Sequence, residues 1–354
     1  MGGNAIKGPD GKSVCQRLPA KYYVSIKKFV LEIFSQILKC AVINELPQKE
    51  DFGDLDLMYI PQNQTNLHDF VKSILQVPDQ HMVRNGPLLS FALDCSRFGI
   101  EQFFQIDLIK VDNLEMANLY FSYAETGNIL GEMLSYHGIT FSERGLYCDL
   151  YDSENNDRKL GRIMFSDDPK TVCKFIGIDY RFWEMIPMLR DHQEIYRWLI
   201  TSRFFNPKIF DREKKARKVH RQRGKRPFYA NFINFVQTNF KEQKHDLVLL
   251  EQNQQLPAIQ YFSKESELEV LLEQEKARKS RQSKFSSVWL IEEIKKVHNV
   301  EITGKNIGQT VVAFKEYSTS KANKEWDKFL DSVTKDVVQQ LAVDFVHQYQ
   351  ITHK

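Results

Sequence analysis

The run Phe52-Gly53-Asp54-Leu55-Asp56-Leu57 limits the folding options of this chain more than any other stretch. Acid and apolar residues alternate strictly, which suits an extended strand whose successive side chains point to opposite faces. A strand over Gly53 to Ile60 puts Leu55, Leu57 and Tyr59 on one face and Asp54 and Asp56 on the other. The two carboxylates then stand about 7 Å apart. On their own they would equally suit the wet face of an ordinary strand. A second strand, Glu101 to Val111, changes the balance, because Asp107 interrupts the apolar run Ile106-Asp107-Leu108-Ile109. A buried carboxylate without a partner is costly, so an acid there implies a purpose. If the two strands are neighbours, three carboxylates converge on one edge of a sheet. Clustered negative charges raise one another's pKa unless cations neutralise them. Hard divalent cations with oxygen ligands, Mg²⁺ or Mn²⁺, are the natural partners. Two such ions can hold a nucleoside triphosphate and activate a hydroxyl for in-line attack on its α-phosphorus.

The pattern around these strands is mixed. Gly and Pro punctuate the first twenty residues, and an apolar stripe at helical spacing predicts a helix over Lys21 to Lys39. Strands are expected at Ala41 to Leu46 and Leu88 to Cys95, and a short helix at Asn66 to Leu75. The tight loop Ser96-Arg97-Phe98-Gly99 makes the strands before and after it an antiparallel hairpin. Leu114 to His137 reads as helix interrupted at Gly127, and Gly145 to Tyr151 with Leu160 to Ser166 as a hairpin. Asp167 or Asp168 can cap a helix that stops at Gly177. Most windows beyond Asp191 are helical, clearest at Ser263 to Arg278 and Val333 to Tyr349. Glu265 to Lys284 is charged throughout and reads as an exposed helix. These elements define an α+β class: a mixed sheet with helices on one face over residues 1–112, then mostly helical parts at 113–240 and 241–354.

The 354 residues carry a formal charge of only +3, yet the distribution is lopsided. Residues 203–226 hold eleven Lys or Arg against two acids, a local +9 that leaves −6 elsewhere. A polyanion docking at one place is the expected partner. Lys214, Lys215, Arg217, Lys218, Arg221 and Arg223 would neutralise phosphates in a salt-dependent, sequence-indifferent way. Such a run can also be a solvated face or, as a lesser reading, a nuclear localisation signal. No apolar run approaches the roughly 18 residues of a membrane span, so no membrane partner is expected. Five scattered cysteines without a C-x-x-C pair, and no leader pattern at the N-terminus, imply a reducing, intracellular, cytoplasmic setting, or a nuclear one in a eukaryotic host. No zinc or P-loop spacing is present in the sequence.

The run Gly53-Asp54-Leu55-Asp56-Leu57 with the later Asp107 strand resembles the palm of the polymerase β-like nucleotidyltransferase superfamily, which includes poly(A) polymerases and CCA-adding enzymes. More narrowly, the chain is similar to a subgroup seen in viral, microbial and fungal genomes. The matching pieces are Gly2-Gly3-Asn4-Ala5, Arg17-Leu18, Lys49 with Phe52 to Asp56, Phe104 to Asp107, and Gly127 to Gly131. The resemblance implies that Asp54 and Asp56 bind both metal ions, while Asp107 binds the catalytic one and helps deprotonate the attacking hydroxyl. It further implies that Gly53 admits close backbone approach, that Asn128 contacts the sugar or base, and that Lys49 meets the triphosphate. The superfamily's Gly-Gly or Gly-Ser turn, about a dozen residues before the paired acids, is missing from Ala41 to Asp51. Gly2 and Gly3 could replace it by folding back over the site, their N–H groups forming an anion nest.

The expected reaction is transfer of a nucleoside monophosphate from an NTP to a hydroxyl, an RNA 3′ end being favoured by the basic segment. Two rivals stand beside it. One is a nucleotidyltransferase that modifies a protein side chain or a small molecule; the other is a non-catalytic nucleic-acid-binding relative, favoured by the missing turn.

Overall fold

Alternation and helical stripes arrange the early chain around one mixed sheet. The computed structural model describes residues 3–62, 66–152, 157–210, 226–240, 250, 253–299 and 301–348. Strand β1 (Leu18–Pro19) leads directly into helix α1 (Ala20–Phe34). The expected helix over Lys21 to Lys39 stops early, because Leu38 turns back into the core and Lys39 opens strand β2 (Lys39–Val42). The short β3 (Asp51–Phe52) pairs with β1, and β4 (Asp54–Ile60) follows after Gly53. Helix α2 (Leu67–Ile74) is capped by Asn66, whose side chain accepts from the His68 N–H. Strands β5 (Met82–Asn85), β6 (Leu88–Asp94) and β7 (Phe103–Lys110) complete a five-stranded sheet of order β2-β4-β7-β6-β5. As expected, β6 and β7 are antiparallel and Gly99 closes their loop in the left-handed conformation. The central pair β4 and β7 is parallel.

The two faces of this sheet differ. Leu55 and Leu57 of β4, Ile106 and Leu108 of β7, and Leu89 and Phe91 of β6 are buried with the apolar stripe of α1 and with α2. On the opposite face Met58 and Ile109 pack against Ala117 of α3 (Leu114–Phe121). Helices therefore lie on both faces, not one. The second face needs cover because Met58 and Ile109 are apolar where the alternation would otherwise present polar residues.

Helix α4 (Thr126–Tyr136) follows a break at 122–125, a few residues earlier than Gly127 suggests. Gly127 instead lies inside the first turn, where a Cβ would come within 2.0 Å of the Tyr120 carbonyl oxygen. Its role is close helix packing. Strands β8 (Thr140–Ser142), β9 (Gly145–Tyr151) and β10 (Lys159–Ser166) form a small sheet in the order β10-β9-β8. Asp168 caps α5 (Pro169–Ile176), which Gly177 ends, as the sequence predicts.

Two compact units result, residues 1–151 with 162–264, and 152–161 with 265–354. The 112/113 boundary falls within the first unit, between β7 and α3. The second is helical, built around Leu290, Ile294, Phe314, Val338 and Ala342. Its helix Glu265–Lys284 has no buried residue, in keeping with its charged sequence. None of the described helices is long and apolar enough to cross a membrane.

Candidate active site

Register decides which acids meet. In the parallel ladder Asp54 faces Gln105 and Asp56 faces Asp107, so four polar side chains occupy a two-by-two patch on the same sheet face. The patch lies toward the N-terminal ends of two interior strands, not on the sheet edge that the sequence suggested. The same face carries Met58 and Ile109 under α3 at one end. At its other end Ala92 of β6 packs with Ile6 and Cys15 of the N-terminal segment. The carboxylates therefore occupy the interval between a helix and an N-terminal strap, residues 3–16.

Each corner of the patch has defined partners. Asp54 Oδ2 accepts a hydrogen bond from the Gly3 N–H at 3.2 Å. Asp107 is buried and accepts from Gln105 Nε2 through both oxygens at 3.0 Å. Ser90 faces Asp107 from β6 in the ladder. Burial raises the Asp107 pKa and the charge on Asp54 adds to the rise, while the Ser90 and Gln105 hydrogen bonds oppose it. Burial likewise pushes Asp56 well above the usual carboxylate range, reinforced by Asp54, Asp107 and Glu45 and opposed by Lys49.

Gly3 folds back over the acids. Gly3 adopts φ +83°, and a Cβ there would lie 2.3 Å from the Gly53 carbonyl oxygen. Only glycine permits this approach. Its N–H is bonded to Asp54 rather than turned outward, and Ser13 Oγ holds the Gly3 carbonyl at 2.6 Å. Gly2 lies outside the described residues. Gly53 is buried at the bend between β3 and β4.

Lys49 forms an ion pair with Glu45 and lies 4.7 Å above the Phe52 ring. Phe52 in turn stacks on Tyr23, with ring centroids 3.7 Å apart. Arg17 donates to both oxygens of Asp51 at 2.7 and 2.8 Å, fixing β3 just before Gly53.

Asn128 sits in the first turn of α4, joined to the acids by a chain of backbone contacts. Asp56 O accepts from the Ile43 N–H at 3.3 Å, and Asn44 O accepts from the Tyr123 N–H at 2.8 Å. The Asn44 N–H donates to Ser122 Oγ at 2.9 Å. Tyr123 and Ala124 both have φ +58°, a left-handed conformation costing about 1–3 kcal/mol each for residues with a side chain. That cost is met where the turn docks beside Glu45 and launches α4.

Of the basic segment, Lys214, Lys215, Arg217, Lys218, Arg221 and Arg223 lie outside the described residues. Arg203 spreads over the Phe175 ring at 4.1 Å, and Arg226 pairs with Glu125 at 3.2 Å, directly before α4.

The donor set is hard oxygen, and its two facing carboxylates are held at raised pKa, which suits Mg²⁺ or Mn²⁺. Among the described residues no three His, Cys, Asp or Glu side chains form a ready-made metal cage. Asp54 and Asp107 are each engaged by protein donors instead.

Gln105, Ser90 and Glu45 are neighbours of the acids to which the sequence reading gave no role. Gln105 had a usable signal, since it stands two residues before Asp107 and must share its face. Ser90 and Glu45 had none, because their proximity depends on strand pairing. No family model matches the chain, and no curated protein is significantly similar to it.

Proposed function

We propose that this protein is a metal-dependent nucleotidyltransferase that moves a nucleoside monophosphate from an NTP to an acceptor hydroxyl, an RNA 3′ end first among candidates. The observation that carries this reading is the register of β4 on β7, which sets Asp56 opposite Asp107 with Asp54 on the same face. Structural acids have no reason to be concentrated there, because like charges on facing strands destabilise a sheet. Asp54 and Asp56 would hold a pair of Mg²⁺ ions, with Asp107 on one of them, and bound there the ions would supply neutralising charge and make the attacking hydroxyl more acidic.

The protein's own groups have definite tasks. Asp107 takes the hydroxyl proton as the acceptor oxygen bonds to the α-phosphorus, and the α–β bridging oxygen leaves with pyrophosphate. Gln105 holds that carboxylate in place. Lys49 and Asn128 are the candidate contacts for the triphosphate and for the sugar or base. The excess of cations in residues 203–226 favours a polyanionic acceptor.

The decisive experiment incubates the protein with each α-labelled NTP, Mg²⁺ or Mn²⁺, and a mixed RNA pool, with Asp107→Ala as control. Label moving to RNA with the intact protein, and falling at least ~10³-fold in the variant, is expected. Label on the protein itself points to side-chain modification. Full activity in Asp107→Ala sinks the assignment.

A further inference from the structure

The fourth corner of the polar patch is an amide, not an acid. Gln105 is 3 % exposed and uses both ends of its side chain. Nε2 donates to both oxygens of Asp107 at 3.0 Å, while Oε1 accepts from the Ala5 N–H at 2.8 Å. The amide's orientation follows from its neighbours. A backbone N–H can only donate and an ionised carboxylate can only accept, so reversing the amide would break every one of these contacts. Two residues before Ala5, Gly3 donates to Asp54, the ladder partner of Gln105. Gly3 and Ala5 thus span the same cross-strand pair, Asp54 and Gln105.

The strap has its own internal structure. The Val14 N–H donates to Ile6 O at 3.1 Å, and the Gln16 N–H donates to Phe103 O at 2.9 Å. Ile6 is fully buried against Cys15 and Ala92. The segment is therefore seated on the sheet by apolar packing, and its backbone donors meet the patch at fixed positions.

We propose that Gln105 is a positioning residue through which the docked strap, residues 3–16, sets the orientation of Asp107. The catalytic consequence rests on the nucleotidyltransferase reading. The physical link rests on the hydrogen bonds alone: if the Ala5 N–H leaves, Oε1 loses its donor and the amide is free to rotate away from Asp107. The strap is then part of the active site, although only Gly3 touches an acid.

Two substitutions separate the halves of this link. Gln105→Met keeps the volume and removes both sets of hydrogen bonds. Ala5→Pro removes the strap's donor and leaves the Gln105 side chain intact. The readouts are Mn²⁺ affinity of the full chain by electron paramagnetic resonance, and amide exchange of residues 3–16. Groups that orient metal ligands are typically worth roughly 10–100-fold in metal affinity, so Gln105→Met should weaken Mn²⁺ binding by about tenfold or more. Ala5→Pro should weaken it in the same sense, and the double variant should be no worse than Gln105→Met. Strap exchange should rise in both variants while the melting temperature stays within a few degrees of wild type. Unchanged strap exchange in Gln105→Met overturns the proposal. So do wild-type Mn²⁺ affinity in Ala5→Pro and simple additivity in the double variant, since each shows that strap and carboxylate act independently. A wild type that bound no Mn²⁺ would remove both this proposal and the reading of the site. If the variants respond as expected but no nucleotide is transferred, only the nucleotidyltransferase reading falls.

Discussion

The two faces of the five-stranded sheet are made by alternate residues of the same strands, yet they do opposite work. On one face Leu55, Leu57, Ile106, Leu108, Leu89 and Phe91 close a continuous core with α1 and α2. On the other, Asp54, Asp56, Gln105, Asp107 and Ser90 take the intervening positions, between apolar cover at Met58 and at Ala92. The first face supplies cohesion through transfer of apolar area from water. The second carries repulsion that the first must offset. A sheet can hold charges at such close quarters because its other side is firmly packed, and a one-residue slip of β7 would exchange the two faces completely.

Neighbouring residues of β7 break this comparison most sharply. Asp107→Ala should lower transfer at least ~10³-fold with little change in melting temperature, since relief of repulsion among the acids offsets the donor left unpaired on Gln105. Ile106→Ala, one residue away on the packed face, should cost about 2–5 kcal/mol of stability by opening a cavity at a fully buried site. The folded fraction of that variant should still turn over normally. Denaturant melts and transfer assays on the two proteins check both outcomes. If Ile106→Ala lost activity without losing stability, the division of labour between the faces would be wrong.

Gly3→Ala tests the cover at the strap end. The added Cβ meets the Gly53 carbonyl, and the left-handed φ adds a cost of about 1–2 kcal/mol. The strap should yield rather than the sheet, so exchange over residues 3–16 should rise and KM for NTP should increase while global stability hardly moves. A loss of global stability equal to that of Ile106→Ala would place Gly3 in the folding core instead.

Much of this arrangement was legible from the sequence, for local reasons. Alternation over Asp54 to Ile60 assigned each side chain its face, and the loop at Ser96 to Gly99 fixed the β6–β7 hairpin. The Asp168 cap and the stop at Gly177 are local chemistry as well. What escaped was long-range. The parallel pairing of β4 with β7, strand β5, and the placement of α3 on the second face depend on contacts far apart in sequence. The strap is the clearest case: a fold-back of Gly2 and Gly3 over the acids was suggested by the family resemblance alone, whereas the bond of Gly3 to Asp54, fifty-one residues away, could not be read at all. Lys49 shows the reverse limit, since the resemblance suggested a phosphate contact but its pairing with Glu45 depends on how the segment between β2 and β3 folds.

The smallest expected effect sharpens the comparison from the side of charge. Asp56→Asn keeps shape and removes one of two facing carboxylates, so the metal-free variant should be more stable than wild type by on the order of 1 kcal/mol, the scale of a cross-strand charge pair. The sign of its pH dependence follows from linkage. Because the fold raises the pKa of Asp56, the native state binds the proton more tightly than the unfolded chain does. Stability contributed by that proton is present at low pH and is lost as pH rises from the ordinary carboxylate value of about 3.9 through the folded one. The advantage of Asp56→Asn should therefore grow as pH rises above the ordinary carboxylate range and shrink on acidification. Mg²⁺ should close the same gap from the other direction, by stabilising the wild type while leaving the variant less affected. Thermal melts of both proteins across pH, with and without Mg²⁺, measure it. An Asp56→Asn protein less stable than wild type at neutral pH would mean that Asp56 is held by a favourable partner, and that this face, like its opposite, is built for cohesion.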